Sequence, residues 1–233
     1  MKTQTQNILL KIYKSLYDFF GPLNWWPGDS PFEIMVGAIL TQNTSWRNVE
    51  KAISNLKKKN LLDPWKLYRI DQEELARLIR PSGYYNIKAR RLKSFITFLV
   101  EEYHGSEKKM FSDDSEELRR KLLKIKGIGP ETADSILLYA GNKPFFVVDA
   151  YTKRIFSRHK LIPKDATYYQ IQGFFIQNLE RDTKLFNEFH AQIVMLGKTL
   201  CTSRNPACSK CPIAYLNRVE RTAFSVEFSY PVN

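Results

Sequence analysis

The chain has 233 residues, 43% of them hydrophobic, enough to bury the core of one large or two small domains. Thirty-six Lys and Arg against 24 Asp and Glu give a net charge of +12, an excess that favours a polyanionic partner, nucleic acid before an acidic membrane surface. The sequence holds no apolar run of about 18 residues and no signal-peptide pattern, so neither a membrane span nor secretion is expected and a cytoplasmic protein is.

Apolar residues recur at intervals of three and four rather than two, which predicts helices nearly throughout. After the break "PGDSP", Phe32, Met35, Val36 and Ile39 share a face; Val49, Ile53 and Leu56 follow, then Leu75, Leu78 and Ile79, then Ile96, Phe98 and Leu99. The stretch "FSDDSEELRRKLLKIKGIG" opens on Ser and Asp caps with early carboxylates, aligns Leu118, Leu122 and Ile125, and stops at Gly127. A further helix takes Pro130 into its first turn, aligns Ala133, Ile136, Leu137 and Ala140, and ends at Gly141. "KPFFVVDAY" has the composition of a buried strand, but no second strand of similar quality exists to pair with it, so an extended link into another helix is expected. Basic residues are spread in pieces such as "KKK" at 57–59 and "KARRLK" at 88–93, and any single run also reads as solvated surface. Cys201, Cys208 and Cys211 are the only cysteines, an odd clustered set unlike a secreted disulfide framework. The tail "FSVEFSYPVN" carries no helical pattern.

Two helices joined by "KGIGP" raise a chemical possibility. Gly127 and Gly129 permit positive φ and leave no Cβ in the way, so backbone N–H groups at the start of the Pro130 helix can face an anion such as a DNA phosphate. The same turn also serves as a plain helix connection. Asp149 ends the run "VVD" where a helix would begin, and Asp is a favoured N-cap. The hairpin, "VVD" eighteen residues after Glu131, "GAILTQNT" at 37–44, "RPSGYYNIKARRL" at 80–92 and the spacing Cys201-x6-Cys208-x2-Cys211 occur together in one order. With these motifs the chain from about Pro31 to Cys211 resembles the endonuclease III superfamily of helix-hairpin-helix DNA glycosylases. The resemblance implies an all-α, two-domain fold with the active site in the interdomain cleft. Residues 29–141 would form a central helical domain with the hairpin, and 1–28 with 142–233 a second helical domain with the cysteine loop.

In that family the aspartate matching Asp149 is catalytic. Breaking an N-glycosidic bond builds positive charge on the sugar, and a nearby carboxylate stabilises it and orients or deprotonates the attacking water. Capping and catalysis can coexist in one side chain. Glu131 stands where bifunctional members carry a lysine that forms a Schiff base; a carboxylate cannot form an imine, which implies a monofunctional enzyme that hydrolyses the bond with water. Lys124, Lys126 and Lys143 read as phosphate contacts or surface.

"NWWPGDSPFE", "ILTQNTSW" and "EFHAQIVMLGK" make the chain most similar to the 3-methyladenine DNA glycosylases of endonuclease III type. Carried over, the base pocket comprises Trp25, Pro27, Trp46, Glu131 and Lys198; Gln42 fills the vacated place in the base stack, and Gly127, Ile128 and Gly129 meet the phosphate. An alkylated purine is electron-poor, and indole faces attract it by stacking and cation–π interaction worth roughly 0.5–2 kcal/mol. Plainer readings stand beside these: Gln42 as a polar helix-end residue, the adjacent Trp25 and Trp26 as core, His190 as a packed histidine. The implied partner is double-stranded DNA containing a damaged base, bound by a monomer at the nucleoid during base excision repair.

The family's iron–sulfur loop has a fourth cysteine six residues after the third, and here that position is Asn217. An amide is a poor ligand for iron beside thiolates, so a 4Fe-4S cluster ligated wholly by protein is not expected, and catalysis is expected to require no cofactor. Thiols that simply pack, a cluster with one external ligand and a three-thiolate zinc site all stay open. Rival readings are a uracil, thymine-mismatch or other damaged-base glycosylase, a bifunctional enzyme with AP lyase activity through another lysine, and a non-catalytic DNA-binding module. Such a module would have no need of Asp149.

Overall fold

The computed structural model describes residues 3–218; the C-terminal stretch "FSVEFSYPVN" lies outside them. Every regular element among the described residues is helical. The first, α1 (Gln4–Phe20), starts where the Thr3 hydroxyl accepts from the Gln6 N–H, and buries Leu9, Ile12 and Leu16. Ser30 caps α2 (Pro31–Leu40), which is buried almost all round, Phe32, Met35, Val36 and Ile39 included. The amphipathic α3 (Trp46–Lys58) buries Val49, Ile53 and Leu56. Two short helices capped by aspartates, α4 (Pro64–Arg69) and α5 (Gln72–Leu78), precede a 3-10 turn at Arg80–Ser82 and the long α6 (Tyr85–Tyr103). Next come α7 (Glu107–Ser112), α8 (Ser115–Lys124) and α9 (Pro130–Ser135), the last prolonged by a π-helical turn over Ile136–Ala140 that ends at Gly141. The chain closes with α10 (Ala150–Arg158), α11 (Tyr168–Asn178), α12 (Thr183–Thr199) and short 3-10 turns. None of the described helices is long and apolar enough to cross a membrane.

The chain divides into two compact units, one spanning Trp26–Lys143 and the other joining the chain up to Trp25 with the chain from Pro144 onward. The expected limits stood at 28/29 and 141/142. In the Trp26–Lys143 unit α6 is the central rod, with α2, α4 and α5 packed against it and Leu92, Phe95, Ile96 and Leu99 fully buried. In the other unit α1 and α10 pack on α12. Its core is aromatic: Phe146 stacks on Phe175 at 3.8 Å, and Phe186 and Phe189 meet Phe146 edge-on. The apolar run "PFFVV" is therefore an extended, buried link rather than a strand. In place of a ladder partner, the Gln172 side-chain amide donates to the Phe146 carbonyl at 2.8 Å.

Two expectations shift. The helix before the hairpin ends at Lys124, and Ile125 has extended backbone that starts the turn. The "KARRLK" segment is also less of a polyanion surface than its charges imply. Lys88 is 1% exposed and its ammonium donates to the Leu40 and Ser82 carbonyls at 2.8 and 2.6 Å. Burial, reinforced by Arg91, lowers its pKa to about 8. Lys93 likewise caps the end of α4 through the Leu67, Tyr68 and Ile70 carbonyls. Helix ends leave orphan carbonyls, and these lysines satisfy them.

Candidate active site

The hairpin is built from α8, the turn Ile125–Gly129 and α9. Its two helices are pinned by a two-pronged pair: Arg119 Nε and Nη2 donate to the Asp134 carboxylate at 2.6 and 3.0 Å, and Asp134 is wholly buried. Within the turn the Ile128 N–H donates to the Ile125 carbonyl at 3.0 Å, and the Ile128 side chain is buried. Only Gly127 uses positive φ, +94°. Gly129, expected to need the same freedom, has φ −92°, which any residue adopts, and an added Cβ there would meet nothing within 4 Å. The two glycines therefore differ in purpose: Gly127 is required by backbone shape and Gly129 leaves the mouth of the turn open.

A Cβ on Gly127 would stand 2.3 Å from Cγ of Arg91. Gly127→Ala is expected to cost about 1–3 kcal/mol of stability from positive φ and this clash, read as a lower Tm. Gly129→Ala is expected to leave Tm unchanged while weakening DNA binding, read by fluorescence anisotropy; equal Tm losses in both would remove the distinction.

Gln42, in the turn between α2 and α3, has its whole amide engaged. Its Nε2 donates to the Gly127 carbonyl at 3.0 Å and the Thr132 hydroxyl at 2.9 Å, and its Oε1 accepts from Arg91 Nη1. In this structure Gln42 ties its turn to the hairpin, and entering a base stack would mean giving up those bonds. Sequence spacing carried no signal for this, nor for Arg91, whose aliphatic stem covers Gly127.

Asp149 is the N-cap of α10. Its Oδ1 accepts from the Thr152 N–H at 2.7 Å and the Thr152 hydroxyl at 2.9 Å. Its Oδ2 lies 3.6 Å from His190 Nε2 on α12, and the two side chains are 12% and 6% exposed. Burial alone would raise this carboxyl, but His190 and the Thr152 donors outweigh it and hold the group below its ordinary value. The carboxylate is thus an ionised group in a nearly dry setting with one oxygen not committed to the cap.

The expected base-pocket residues fall in both units. Lys198 Nζ sits 5.3 Å from the Trp25 ring centroid in a cation–π contact. Gln192, fully buried on α12, holds the segment that leads to Trp25 by donating to the Gly21 carbonyl at 2.7 Å and to Glu188. In the Trp26–Lys143 unit, Trp46 at the start of α3 packs edge to face against Trp26 at 5.1 Å, and Trp26 also meets Tyr139 at 4.9 Å. Gly37 makes room for this cluster, for an added Cβ would come within 3.3 Å of the Trp46 ring. The buried Trp46 Nε1 has no hydrogen-bond partner among the described residues. Glu131 is exposed on the first turn of α9, and Pro27 is exposed in the segment before α2. Of the nearby lysines, Lys143 donates to the Asp113 carbonyl at 3.3 Å, while Lys124 and Lys126 are exposed beside the turn.

Residues 36–180 match the model of the HhH-GPD superfamily of base excision DNA repair proteins. The chain belongs to that superfamily. A Methanocaldococcus jannaschii protein bearing the provisional name of DNA repair glycosylase is 49% identical over 91% of this chain and 97% of its own length. Endonuclease III of Thermotoga maritima is 32% identical over 78% of this chain and 79% of its own. Among solved structures, the H. pylori 3-methyladenine DNA glycosylase bound to 1,N6-ethenoadenine superposes with a TM-score of 0.71 at 30% identity, covering 84% of this chain and 98% of that one. As an HhH-GPD protein the chain is a base excision repair DNA glycosylase.

Residues 201–216 match a second model, the iron–sulfur binding domain of endonuclease III. The residues present do not fit a cluster held wholly by protein. Cys201 is buried, Cys211 half-buried and Cys208 exposed, the fourth position is Asn217, and no group of three or more His, Cys, Asp or Glu among the described residues is placed to hold a metal ion. Two arginines one turn apart on α10 hold the backbone at the start of the loop. Arg154 donates to the Cys201 and Gly197 carbonyls at 3.0 and 2.9 Å, and Arg158 to the Thr202 and Ser203 carbonyls at 2.7 and 2.6 Å. Arg158 Nη1 also lies 3.3 Å from Cys201 Sγ. Their i, i+4 spacing on one face was visible in the sequence; their target was not.

Proposed function

We propose that this HhH-GPD protein is a monofunctional glycosylase that removes alkylated purines such as 3-methyladenine from double-stranded DNA by hydrolysis. The observation that carries the reading is Asp149: a nearly buried, ionised carboxylate whose Oδ1 is spent on the cap and whose Oδ2 is available to the reaction. As the glycosidic bond lengthens, positive charge grows on the sugar, and a carboxylate in a low-dielectric setting stabilises it far more than one in water. The same oxygen accepts a hydrogen bond from the attacking water and orients it.

The aromatic residues favour an electron-poor base. Lys198 Nζ stands 5.3 Å from the Trp25 ring centroid, a contact that shows the indole attracting a cation, and Trp46 brings an indole N–H with donor capacity to spare. An alkylated purine is already a good leaving group, so no strong general acid is required. Glu131 supports hydrolysis over strand cleavage because a carboxylate forms no imine. The hairpin turn, with Gly127, Ile128 and Gly129, is assigned to a phosphate of the DNA backbone.

The test is to incubate the protein with randomly methylated DNA and to identify released bases by chromatography. Release of 3-methyladenine is expected; release only from uracil or thymine-mismatch substrates would overturn the base assignment, and no release from any would overturn the glycosylase reading. Borohydride is expected to trap no protein–DNA adduct, and a trapped adduct would overturn the monofunctional assignment.

A further inference from the structure

Asp149 divides its two oxygens between different tasks, and the second oxygen has a neighbour whose role the cap does not explain. Oδ1 takes both Thr152 donors. Oδ2 faces His190 Nε2 at 3.6 Å, just outside hydrogen-bond range, with both side chains nearly buried. The approach is built into the packing of α10 on α12. Gly197 lies two turns after His190 on the same face of α12. The Tyr151 ring rests on it, and an added Cβ would come within 2.3 Å of Tyr151 Cδ1. Arg154, further along α10, fastens the same crossing through the Gly197 carbonyl at 2.9 Å. Close backbone approach at one end of the crossing fixes the distance at the other, where Asp149 begins α10 and His190 faces it.

We propose that His190 is a positioning residue for Asp149, holding Oδ2 in the orientation from which it serves the sugar and the attacking water. The inference rests on the catalytic reading of Asp149. An imidazole N–H aimed at Oδ2 restrains the carboxylate against rotation about its χ2, which Thr152 anchors at Oδ1 alone. One lone pair of Oδ2 then points to His190 and the other stays available for water. Burial makes the restraint effective, since little solvent competes for either atom. The hydrogen bond tightens when substrate closes the remaining gap, as such contacts do between free and bound enzymes.

The test uses the full chain and whichever lesion the wild type releases fastest, under single-turnover conditions with enzyme saturating. His190→Leu is expected to slow release about 10- to 100-fold, the scale of a small misplacement at a reacting centre. Affinity for DNA containing an abasic-site analogue should stay within about twofold. His190→Gln, whose amide nitrogen can reach the place of Nε2, is expected to recover most of the rate. A rate within about twofold of wild type in His190→Leu, or equal loss in the Leu and Gln variants, would overturn the proposal.

A second readout needs no substrate and covers the case in which His190→Leu fails to fold. NMR of the protein labelled in its histidine ring nitrogens is expected to show His190 protonated at Nε2, with a changed tautomer balance in Asp149→Asn and none in Lys198→Ala. An unchanged tautomer in Asp149→Asn would overturn the coupling, whatever the lesion assays show. Absence of base release by wild type would instead count against the glycosylase reading alone.

Discussion

Asp149→Asn is expected to lower the rate of base release by roughly a thousandfold or more while leaving folding and DNA binding nearly intact, because only a charge that acts in the transition state is removed. The choice of Asn decides the matter. Its side-chain oxygen still accepts from the Thr152 N–H, and Asn is as good an N-cap as Asp, so stability should change by less than about 0.5 kcal/mol. Asp149→Ala, by contrast, should lose both, with about 1 kcal/mol from the cap in addition. Equal rates for wild type and Asp149→Asn would exclude the carboxylate from the chemistry and leave Asp149 as a cap only. The pH dependence has a definite sign. Because the folded carboxyl lies below its ordinary value, its stabilising contribution is fully present above the unfolded value of about 4 and is lost as pH falls through the folded one. Thermal scans of wild type against Asp149→Asn should therefore lie close together at neutral pH and separate in acid, where wild type loses the contribution of its carboxylate and the variant, which does not titrate, loses none.

Arg119→Ala is expected to be the most destabilising single change in the hairpin, about 3–5 kcal/mol, read as a fall of roughly 10 °C in Tm. The reason is asymmetry in the pair. Asp134 has no exposed side-chain surface and Arg119 is 13% exposed, so removing the guanidinium takes two charge-assisted bonds from a carboxylate where water cannot replace them. The double variant Arg119→Met with Asp134→Leu should recover most of the loss, since no buried charge remains. DNA affinity is expected to fall with Arg119→Ala, because the turn that presents Gly127 and Gly129 depends on the angle between α8 and α9. A loss below about 1 kcal/mol would mean that water reaches Asp134.

Much of the fold was legible as periodicity. The buried faces of α2, α3 and α8 follow the three-and-four spacing of their apolar residues, and α9 continues to Gly141 as its punctuation predicts. The extended link before Asp149 was also legible, from the absence of any strand to pair with it. What composition could not reveal was the destination of long side chains. Lys88 and Lys93 counted as positive charge in a basic segment, yet each reaches into the protein to close a helix end, because a four-carbon stem lets the charge act several ångströms from its own backbone. The contacts of Gln42 and of the Arg154–Arg158 pair were hidden for the same reason, their partners lying 49–90 and 43–47 residues away in sequence. For Gly129 half of the expectation fails: its φ of −92° is not left-handed, and what remains of the reading is the missing Cβ.

Lys88 gives this protein an unusual response to alkali. An unfolded lysine keeps its proton to about pH 10.4, whereas folding brings Lys88 down to about 8, so between those values the unfolded chain holds more protons and stability rises with pH. The neutral amine retains two N–H groups, enough for the two carbonyls it serves. Titration thus removes the cost of a buried charge without removing the bonds. Measured against Lys88→Met, which cannot titrate, wild-type Tm should gain steadily as pH is raised from about 8 to about 10. The turn that holds Gln42 begins at the residue after Leu40, and it would be anchored more firmly in mild base than at neutrality.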